Sequence, residues 1–378
     1  MQTLKGSKSD MADGGLRRLM GDPHEVAVER ALGEFRSGRP VVLCGGGACL
    51  LAISAESLDD DALAAIRAAG AGEAKLVLSP PRLRLLGHES AAPAVLPLGH
   101  MDAAAVHEIV SHTGMRLNGH APEAAGEVEK AALELVRLAY LLPAAVTVPL
   151  AGAADADACN IVRVDISDIA RYRANVLTTP RIVARAPVPL EDAGETEFVV
   201  FRGGEGMRDQ IAVIIGHPDP AEPVYTRLHS ACLTGDLFGS LKCDCGDQLR
   251  GAVRTMAELG GGILLYLDQE GRGNGIANKI RAYKLQHAGY DTFDADEILG
   301  FDLDQRRFDF AAAMMKQLGH SSARLLTNNP AKVLALQEAG LTIVSSHPVK
   351  ARLTLQNAGY LAAKRDRAGH MIEKDLKY

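Results

Sequence analysis

The residues best suited to metal chemistry are three cysteines in one polar segment, Cys232, Cys243 and Cys245. Their spacing, C-x10-C-x-C, offers three thiolates with no fourth cysteine within reach. A structural zinc site usually closes with four protein ligands, whereas a catalytic site leaves one position for water. Three soft ligands therefore favour a zinc ion whose bound water serves as a nucleophile.

The alternative is that these cysteines are reduced core residues, because free cysteine is often buried as a small hydrophobe. The flanking residues are polar and rich in glycine, as TGD and KCDCGDQ show. Such flanks are typical of a loop rather than of a core strand or helix. The pattern therefore predicts a metal-binding loop.

Four motifs follow one another along the chain, namely RLHSACLTGDLFGSLKCDCGDQL, GGILLYLDQEGRGNGIANKIRAYKLQ, GYDTFDADEILGFDLDQRRF and RLLTNNPAKV. In this order they closely resemble the motifs of the GTP cyclohydrolase II family. The resemblance covers about half of the chain, from near Val183 to the C-terminus. Members of that family open the imidazole ring of GTP, release C8 as formate and split off pyrophosphate, which is the first committed step of riboflavin biosynthesis.

The resemblance implies cofactors and partners. It places zinc on Cys232, Cys243 and Cys245, with a zinc-bound water attacking C8, and Mg²⁺ on the triphosphate. Three thiolates leave the zinc complex with a net charge of −1, so we expect a nearby proton carrier to assist ring opening. The implied product is 2,5-diamino-6-ribosylamino-4(3H)-pyrimidinone 5′-phosphate, and family members are homodimers.

A second constellation suits the triphosphate. Arg272 lies in the glycine loop QEGRGNG just before a predicted helix that carries Lys279 and Arg281. Loop glycines allow close backbone approach, and a helix N-terminus favours anions. On its own the pattern equally describes a solvated, charged helix start. The resemblance adds nucleotide contacts at Arg227, Leu228, His229, Ser230, Ala231, Gln248, Glu270, Gly271, Arg272, Thr292, Thr327 and Lys332.

Two residues depart from the family pattern. Ala231 stands where a glutamate is common, and Asn274 stands where isoleucine is usual. If the contact at position 231 uses backbone atoms, the first change is harmless; if it uses the side chain, it affects GTP affinity.

The resemblance assigns catalytic roles to three residues. Asp304 is the expected proton acceptor and Arg306 the expected nucleophile on the α-phosphate. Arginine stays protonated in proteins, so a bidentate clamp on phosphate charge is an equally physical role for Arg306. The segment FDLDQRRF, which contains both residues, is also typical of an exposed helix N-terminus capped by Asp304. Tyr283 matches the family tyrosine near zinc, although a helical tyrosine is more often core packing, and it predicts the fully deformylated product.

The composition sets broad limits. The chain has 378 residues, of which 47% are hydrophobic and 23% charged, with a net charge of −6. No basic excess indicates a nucleic-acid surface, so GTP is expected to bind as a small molecule. Residues 138–154 are the most apolar stretch, which is too short for a membrane span. The six cysteines do not resemble a disulfide framework, and we expect a reducing, cytoplasmic location.

The N-terminal half more weakly resembles a 3,4-dihydroxy-2-butanone-4-phosphate synthase domain, through VERALGEFRSGRPVVL and RLNGHAPEAAGEVEKAALELVRLAYLLPAAV. The family's acidic, metal-binding loop is replaced by CGGGACLLA, which lacks the oxygen ligands that Mg²⁺ requires. His120 has lost its hydroxyl-bearing neighbour. We therefore expect a non-catalytic domain, and we interpret its three glycines as a tight turn rather than a phosphate loop.

These patterns predict an α/β fold in two domains, with helices packed on a mixed sheet in the second. The expected limits are a flexible leader over 1–22, the degenerate domain over 23–180 and the catalytic domain over 181–378, with a proline-rich linker at 177–195. Two other functions remain open: a paralogous GTP ring-opening enzyme of another pathway, and a catalytically dead GTP-binding regulator.

Overall fold

The computed structural model describes residues 21–117, 121–150, 160–175, 180–203, 208–302, 306, 308–349 and 352–371. The chain divides into two compact units, Met1–Arg173 and Ala174–Tyr378, each with one seven-stranded sheet and packed helices. The predicted α/β fold class is confirmed. The predicted leader lies outside the described residues up to position 20, and so does His120.

The sheet of the first unit is antiparallel except at one edge, and its order is β5-β4-β3-β6-β2-β1-β7, with β7 parallel to β1. Its strands are β1 (Val41–Gly45), β2 (Ala48–Ser54), β3 (Lys75–Leu78), β4 (Ala94–Pro97), β5 (Glu123–Ala124), β6 (Ala144–Pro149) and β7 (Arg163–Asp165). Its helices are α1 (Pro23–Arg36), α2 (Asp60–Ala69), α3 (Pro80–Leu85), α4 (Ala103–Ser111), α5 (Glu127–Leu138) and α6 (Ile166–Asn175), the last reaching the junction with the second unit.

The glycines of CGGGACL form the turn of the β1–β2 hairpin. Gly46 and Gly47 have φ values of 59° and 82°, a conformation that suits a two-residue hairpin turn and favours glycine. The predicted tight turn is confirmed. The expectation of no disulfide is wrong for Cys44 and Cys49, which are bonded across this hairpin with their Cα atoms 4.2 Å apart. The two residues face each other one pair beyond the turn, where opposed side chains come close.

The second unit carries a mixed sheet in the order β14-β13-β11-β12-β10-β9-β8, in which the first four strands are parallel and the rest antiparallel. Its strands are β8 (Arg181–Pro187), β9 (Thr196–Arg202), β10 (Gln210–Gly216), β11 (Val224–Ser230), β12 (Gly261–Leu267), β13 (Ser322–Leu326) and β14 (Thr342–His347). Its helices are α7 (Leu233–Asp236), α8 (Cys245–Glu258), α9 (Ile276–His287), α10 (Thr292–Ile298), α11 (Asp309–Gln317), α12 (Pro330–Glu338) and α13 (Ala358–Ala368).

Three expectations about this unit need correction. Seven residues of the predicted linker form the edge strand β8, which tolerates Pro187 at its end because an edge position needs no further N–H donor. The helix predicted over Gln305–Leu318 spans Asp309–Gln317 in the described residues, and Gln305 itself lies outside them. Helix α10 was not expected, since its seven residues are too short to show clear periodicity.

The parallel strands bring three segments of the chain to one edge of the sheet. Strands β11, β12 and β13 end at Ser230, Leu267 and Leu326, and they are neighbours in the sheet. Ligand sites of open α/β sheets commonly lie beyond the carboxyl ends of such strands. The cysteine segment, the QEGRGNG loop and the TNN segment follow these three ends in turn. Within the described ranges, no helix has the length and apolarity that a bilayer crossing requires.

Candidate metal centre and nucleotide pocket

The three cysteines converge in the structure. Cys232 follows β11, Cys243 lies in the next loop and Cys245 opens α8, and their Sγ atoms all lie within 4.8 Å of one another. The Sγ atoms of Cys232 and Cys243 are 3.7 Å apart. Sulfurs bound at about 2.3 Å to a tetrahedral zinc ion lie about 3.8 Å from each other, so the cluster fits zinc. No second group of three or more metal-binding side chains converges among the residues that the structure describes.

Gly235 lets the chain pass directly over the sulfurs. A Cβ atom at this position would lie 2.5 Å from Cys243 Sγ and 3.0 Å from Cys232 Sγ, closer than real contacts allow. The glycine is therefore required by the approach of the short helix α7 to the cluster.

We expect Gly235→Ala to weaken metal binding, because the added methyl group displaces a sulfur. The zinc dissociation constant, measured by competition with a chromogenic chelator, should rise about tenfold or more, in the range of changes next to a metal site. Gly251→Ala on α8 is the matched control, since nothing lies within 4 Å of its added methyl. Equal zinc affinity in the two variants would contradict the close approach at Gly235.

Asp236 holds the loop that carries Cys232. Its carboxylate accepts hydrogen bonds from Cys232 N at 2.9 Å, His229 Nε2 at 3.0 Å and Tyr266 Oη at 3.0 Å. The ring of His229 stacks on that of Tyr266, with centroids 5.5 Å apart. Burial lowers the pKa of His229, so the imidazole stays neutral in spite of the neighbouring carboxylate. The motif search did not single out Asp236, although it lies four residues after the first cysteine.

Lys279 lies against the sulfur cluster rather than in the predicted triphosphate region. Its Nζ atom donates to Cys232 Sγ at 2.9 Å and to Glu270 Oε1 at 2.8 Å. The other oxygen of Glu270 accepts from Leu233 N at 2.6 Å. The thiols of Cys243 and Cys245, followed by this ammonium group, hold the pKa of Cys232 well below its usual range. Lys279 thus offsets the negative charge that three thiolates leave on a bound zinc ion.

Tyr283 faces the same cluster from helix α9. Its hydroxyl lies 3.2 Å from Thr234 Oγ1, which is 3.8 Å from Cys232 Sγ. Burial raises the pKa of Tyr283, which keeps the phenol protonated at neutral pH. The side chain is half-buried at a cavity wall, so it is not a core-packing residue.

Two neighbouring cavities form the site. The smaller one, about 100 Å³, holds the cysteines and also has at its wall Ser230, Ala231, Glu270, Gly271, Arg272, Tyr283, Thr292 and Arg306. The larger one, about 270 Å³, is lined by six basic side chains but only one carboxylate among the described residues. The basic residues are Arg227, Arg272, Arg306, Lys332, Lys364 and Arg367, and the carboxylate is Asp244. The larger cavity therefore suits a polyanion.

Five residues line both cavities and make them one continuous site, namely Ser230, Cys245, Arg272, Arg306 and Tyr360. The Oγ atom of Ser230 is buried without a hydrogen-bond partner among the described residues, which suits a ligand contact at the junction. Burial lowers the pKa of His370, at the wall of the larger cavity, to about 3, so this imidazole is a neutral group.

Arg272 adopts an unusual backbone conformation in the glycine loop. Both Gly271 and Arg272 have φ values of 62°, which is rare for a residue with a Cβ atom. The side chain of Arg272 donates to Asp296 Oδ2 at 3.1 Å, and its guanidinium lies 4.1 Å from the ring centroid of Phe293. These contacts hold the guanidinium at the junction of the cavities, where strain is typical of a functional position.

Most of the predicted nucleotide contacts lie at this site, but one does not. Gln248, Thr327, Lys332, Arg227 and His229 line the larger cavity. The side chain of Leu228 instead packs in the sheet core, because alternate residues of β11 face opposite sides. Its carbonyl oxygen accepts from Lys332 Nζ at 2.8 Å. The side chain of Leu228 therefore lines neither cavity, and the nucleotide contact expected at this position stays a prediction.

The predicted catalytic pair is only half described. Asp304 lies outside the described residues, whereas Arg306 lines both cavities with its guanidinium 5.7 Å from the ring centroid of Phe308. Ala231, the departure from the family glutamate, lines the smaller cavity, and its N–H donates to Leu267 O at 2.7 Å. Sequence reasoning missed four polar wall residues that follow the last recognised motif, Tyr360, Lys364, Arg367 and His370.

The sequence comparisons match this chain to GTP cyclohydrolase II proteins. A sequence profile of the family described as GTP cyclohydrolase II matches residues 181–348. A GTP cyclohydrolase-2 of Xylella fastidiosa is 44% identical over 359 residues, which cover 94% of this chain and 89% of that protein. A GTP cyclohydrolase-2 of Azospirillum brasilense is 40% identical over 362 residues, covering 92% and 94% respectively.

Among solved structures, RibBX from A. baumannii, a two-domain 3,4-dihydroxy-2-butanone 4-phosphate synthase, aligns with 86% of this chain and 99% of its own, at 18% identity and a TM-score of 0.33. The sequence relatives are far more similar and extend over nearly the whole chain. The chain therefore belongs to the GTP cyclohydrolase II family of hydrolases.

Proposed function

We propose that the protein hydrolyses GTP to 2,5-diamino-6-ribosylamino-4(3H)-pyrimidinone 5′-phosphate, formate and pyrophosphate, for riboflavin biosynthesis. The observation that carries this proposal is the continuity of a thiol-lined cavity with a cation-lined one. A ligand that spans both cavities presents a polyphosphate to the basic side chains and a ring to the cysteines. GTP has this chemistry, and the named relatives are GTP cyclohydrolases.

The basic cavity binds and orients the triphosphate. The guanidinium of Arg272 and the ammonium of Lys332 are presented by separate elements, so they contact the chain of phosphates from different directions. Mg²⁺ accompanies the triphosphate and shares its charge, as in most nucleotide sites. Binding of the triphosphate in this cavity positions the reacting atoms, because it fixes C8 of the guanine beside the cysteines.

Cys232, Cys243 and Cys245 hold the metal, and zinc bound there supplies Lewis-acid activation of water. Glu270 and Asp236 fix the loop around the ligands, and Lys279 balances their charge. Tyr283, protonated and beside Thr234, donates a proton to the leaving nitrogen in both hydrolytic steps, first as the imidazole opens and then as formate is released. Arg306, at the junction of the two cavities, clamps the α-phosphate as pyrophosphate leaves. The role of Asp304 as proton acceptor comes from the family resemblance alone, since this residue lies outside the described ranges.

Tyr283→Phe should stop the reaction before formate is released. Without the hydroxyl, the second hydration lacks its proton carrier, so we expect the formylated pyrimidine to accumulate while ring opening continues at a reduced rate. Mass spectrometry of the products measures this directly. Tyr290→Phe, an exposed position outside both cavities, is the matched control. Stoichiometric formate from the Tyr283→Phe enzyme would remove Tyr283 from the deformylation step.

The decisive test is product analysis of the zinc-loaded full chain with GTP and Mg²⁺. Mass spectrometry should find the deformylated pyrimidine, with one formate and one pyrophosphate per GTP. A different ring-opened product would favour the paralogue of another pathway. Unchanged GTP, despite bound zinc and measurable GTP affinity, would overturn the proposal in favour of the regulator.

The first unit is proposed to be non-catalytic. The support is that the Gly46–Gly47 hairpin turn occupies the position of the acidic loop expected of a synthase, which leaves no oxygen ligands for Mg²⁺ there. Synthase turnover of ribulose 5-phosphate by the full chain would contradict this.

We also propose that the protein is a homodimer and that it is located in the cytoplasm. The location suits the free thiols of the cluster, whereas the Cys44–Cys49 disulfide is unusual there.

A further inference from the structure

The last described helix, α13, contributes to the larger cavity. It spans Ala358–Ala368, beyond the residues 181–348 that match the family profile. Tyr360, Lys364, Arg367 and the following His370 all line the cavity wall. No assigned nucleotide contact or motif residue lies in this part of the chain, so its role is not explained by the family's recognised motifs.

A buried polar chain joins α13 to the site. Lys364 Nζ donates to Asp244 Oδ1 at 2.9 Å, and Gln248 Nε2 donates to Asp244 Oδ2 at 2.5 Å. Arg227 Nη2 then donates to Gln248 Oε1 at 2.6 Å. The side chain of Lys364 is 14% exposed and that of Asp244 only 1%. Lys364 therefore places a charge at the cavity and also sets the orientation of Asp244, which lies between two of the cysteines.

The C-terminal end of α13 is anchored to two other segments of the second unit. Arg367 Nη1 donates to Asp291 Oδ2 at 2.8 Å and to Asp294 Oδ1 at 2.7 Å, at the start of α10. Met371 N donates to Asn328 O at 2.9 Å, in the segment after β13. Because its C-terminal end is tied to two segments that form the cavity, and Lys364 ties its middle to Asp244, α13 is a wall of the site and not a loosely attached tail.

Charge distinguishes this wall from ordinary packing. Lys364 brings a further cation into a cavity that already holds Arg227, Arg272, Arg306 and Lys332. Asp244 balances only one of these charges, so in the absence of an anion the repulsion among the others costs free energy, because salt screens buried and partly buried charges weakly. A bound polyphosphate would offset this repulsion, because its negative charges attract the cations of the cavity. Lys364 therefore has two roles to separate by experiment, as the counter-charge of Asp244 and as a cation at the cavity wall.

We propose that α13 completes a polyphosphate site and that Lys364 is one of its binding residues. The proposal rests on the proposed function for the identity of the nucleotide, but its chemistry requires only a chain of phosphates. Helix α13 then joins the segments that follow β11, β12 and β13 in forming this site.

The test is calorimetric titration of inorganic tripolyphosphate into the zinc-loaded full chain. Lys364→Met should lower the affinity about tenfold or more, as expected for loss of a charge-assisted hydrogen bond to phosphate. Arg365→Met is the matched control: it removes a charge at the next residue, whose guanidinium pairs with Asp366 and lines neither cavity. It should change the affinity less than about twofold.

A second variant separates binding from stability, because Lys364→Met leaves the buried Asp244 without its cation. Asp244→Asn combined with Lys364→Met removes that unpaired charge and should recover thermal stability without recovering tripolyphosphate affinity. The proposal would be overturned if Lys364→Met, alone or combined with Asp244→Asn, bound tripolyphosphate as tightly as the wild type does. Absence of tripolyphosphate binding by the wild-type chain would also overturn it. Tripolyphosphate binding that depends on Lys364, in a protein that leaves GTP unchanged, would support it and reject only the proposed function.

Discussion

Cys243→Ser is expected to abolish metal binding and turnover together. The serine hydroxyl does not ionise at neutral pH, so two thiolates remain where three Sγ atoms now lie within 4.8 Å of one another. We expect less than about a tenth of the wild-type zinc content after dialysis, and kcat/KM lower by more than about a hundredfold, beyond the effect of losing an outer partner. Elemental analysis and a formate assay measure the two quantities on the same sample.

The chain provides its own control for this substitution. Cys44→Ser combined with Cys49→Ser removes two sulfurs from the first unit, where they form a disulfide and not a metal site. That variant should keep full zinc content and turnover while losing some stability. A Cys243→Ser protein with one zinc per chain and wild-type turnover would contradict the three-thiolate centre. If the variant lost its zinc but still produced formate, the metal would not be required for the reaction.

The predicted order of strands and helices in the second unit was confirmed where periodicity and turn residues agree. GILLYL is a buried strand, and the helix before it ends just ahead of a glycine, as expected. The linker was predicted wrongly because its prolines were taken to exclude a strand. Pro187 is compatible with the end of an edge strand, and position in a sheet is not a local property of sequence.

The site was predictable to the extent that its residues lie in recognised motifs. Cys232, Cys243 and Cys245 carry a spacing that indicates a metal, and the structure brings them together. The contact of Lys279 with Cys232 was not predictable, since it depends on how α9 packs over the loop. Lys364 was missed for a similar reason: a single lysine in an amphiphilic helix has no distinctive pattern until its tertiary partner is known.

The contact between Lys279 and the cluster changes one expectation about the chemistry. Three thiolates alone would make a bound zinc ion a poor Lewis acid. An ammonium group 2.9 Å from Cys232 Sγ withdraws charge from that sulfur and so partly restores the acidity of the metal. Although burial opposes its charge, the Cys232 thiolate and Glu270 raise the pKa of Lys279, which keeps it a cation. Under the proposed function, Lys279 would act on the reaction through the sulfur, as a positioning residue that tunes the charge of the metal centre.

Arg306 provides the second large effect, and two substitutions distinguish its possible roles. If the guanidinium clamps developing phosphate charge, Arg306→Lys retains the cation but loses the bidentate geometry. We then expect kcat/KM to fall about a hundredfold while formate and pyrophosphate remain in equal amounts. Arg306→Met removes the charge as well and should lose more than about another tenfold. Steady-state assays of both products give these values.

A covalent role makes the opposite prediction. An arginine that forms a bond to the α-phosphate has no substitute in lysine at this geometry, so Arg306→Lys would then be as inactive as Arg306→Met. Intact-protein mass spectrometry after rapid quenching would find a guanylyl adduct in the wild type. Arg324→Lys is the matched control, because Arg324 packs over Tyr225 and lines neither cavity. The clamp is favoured physically: Arg306 stands where the two cavities meet, and a guanidinium that stays protonated is a strong hydrogen-bond donor but a poor nucleophile.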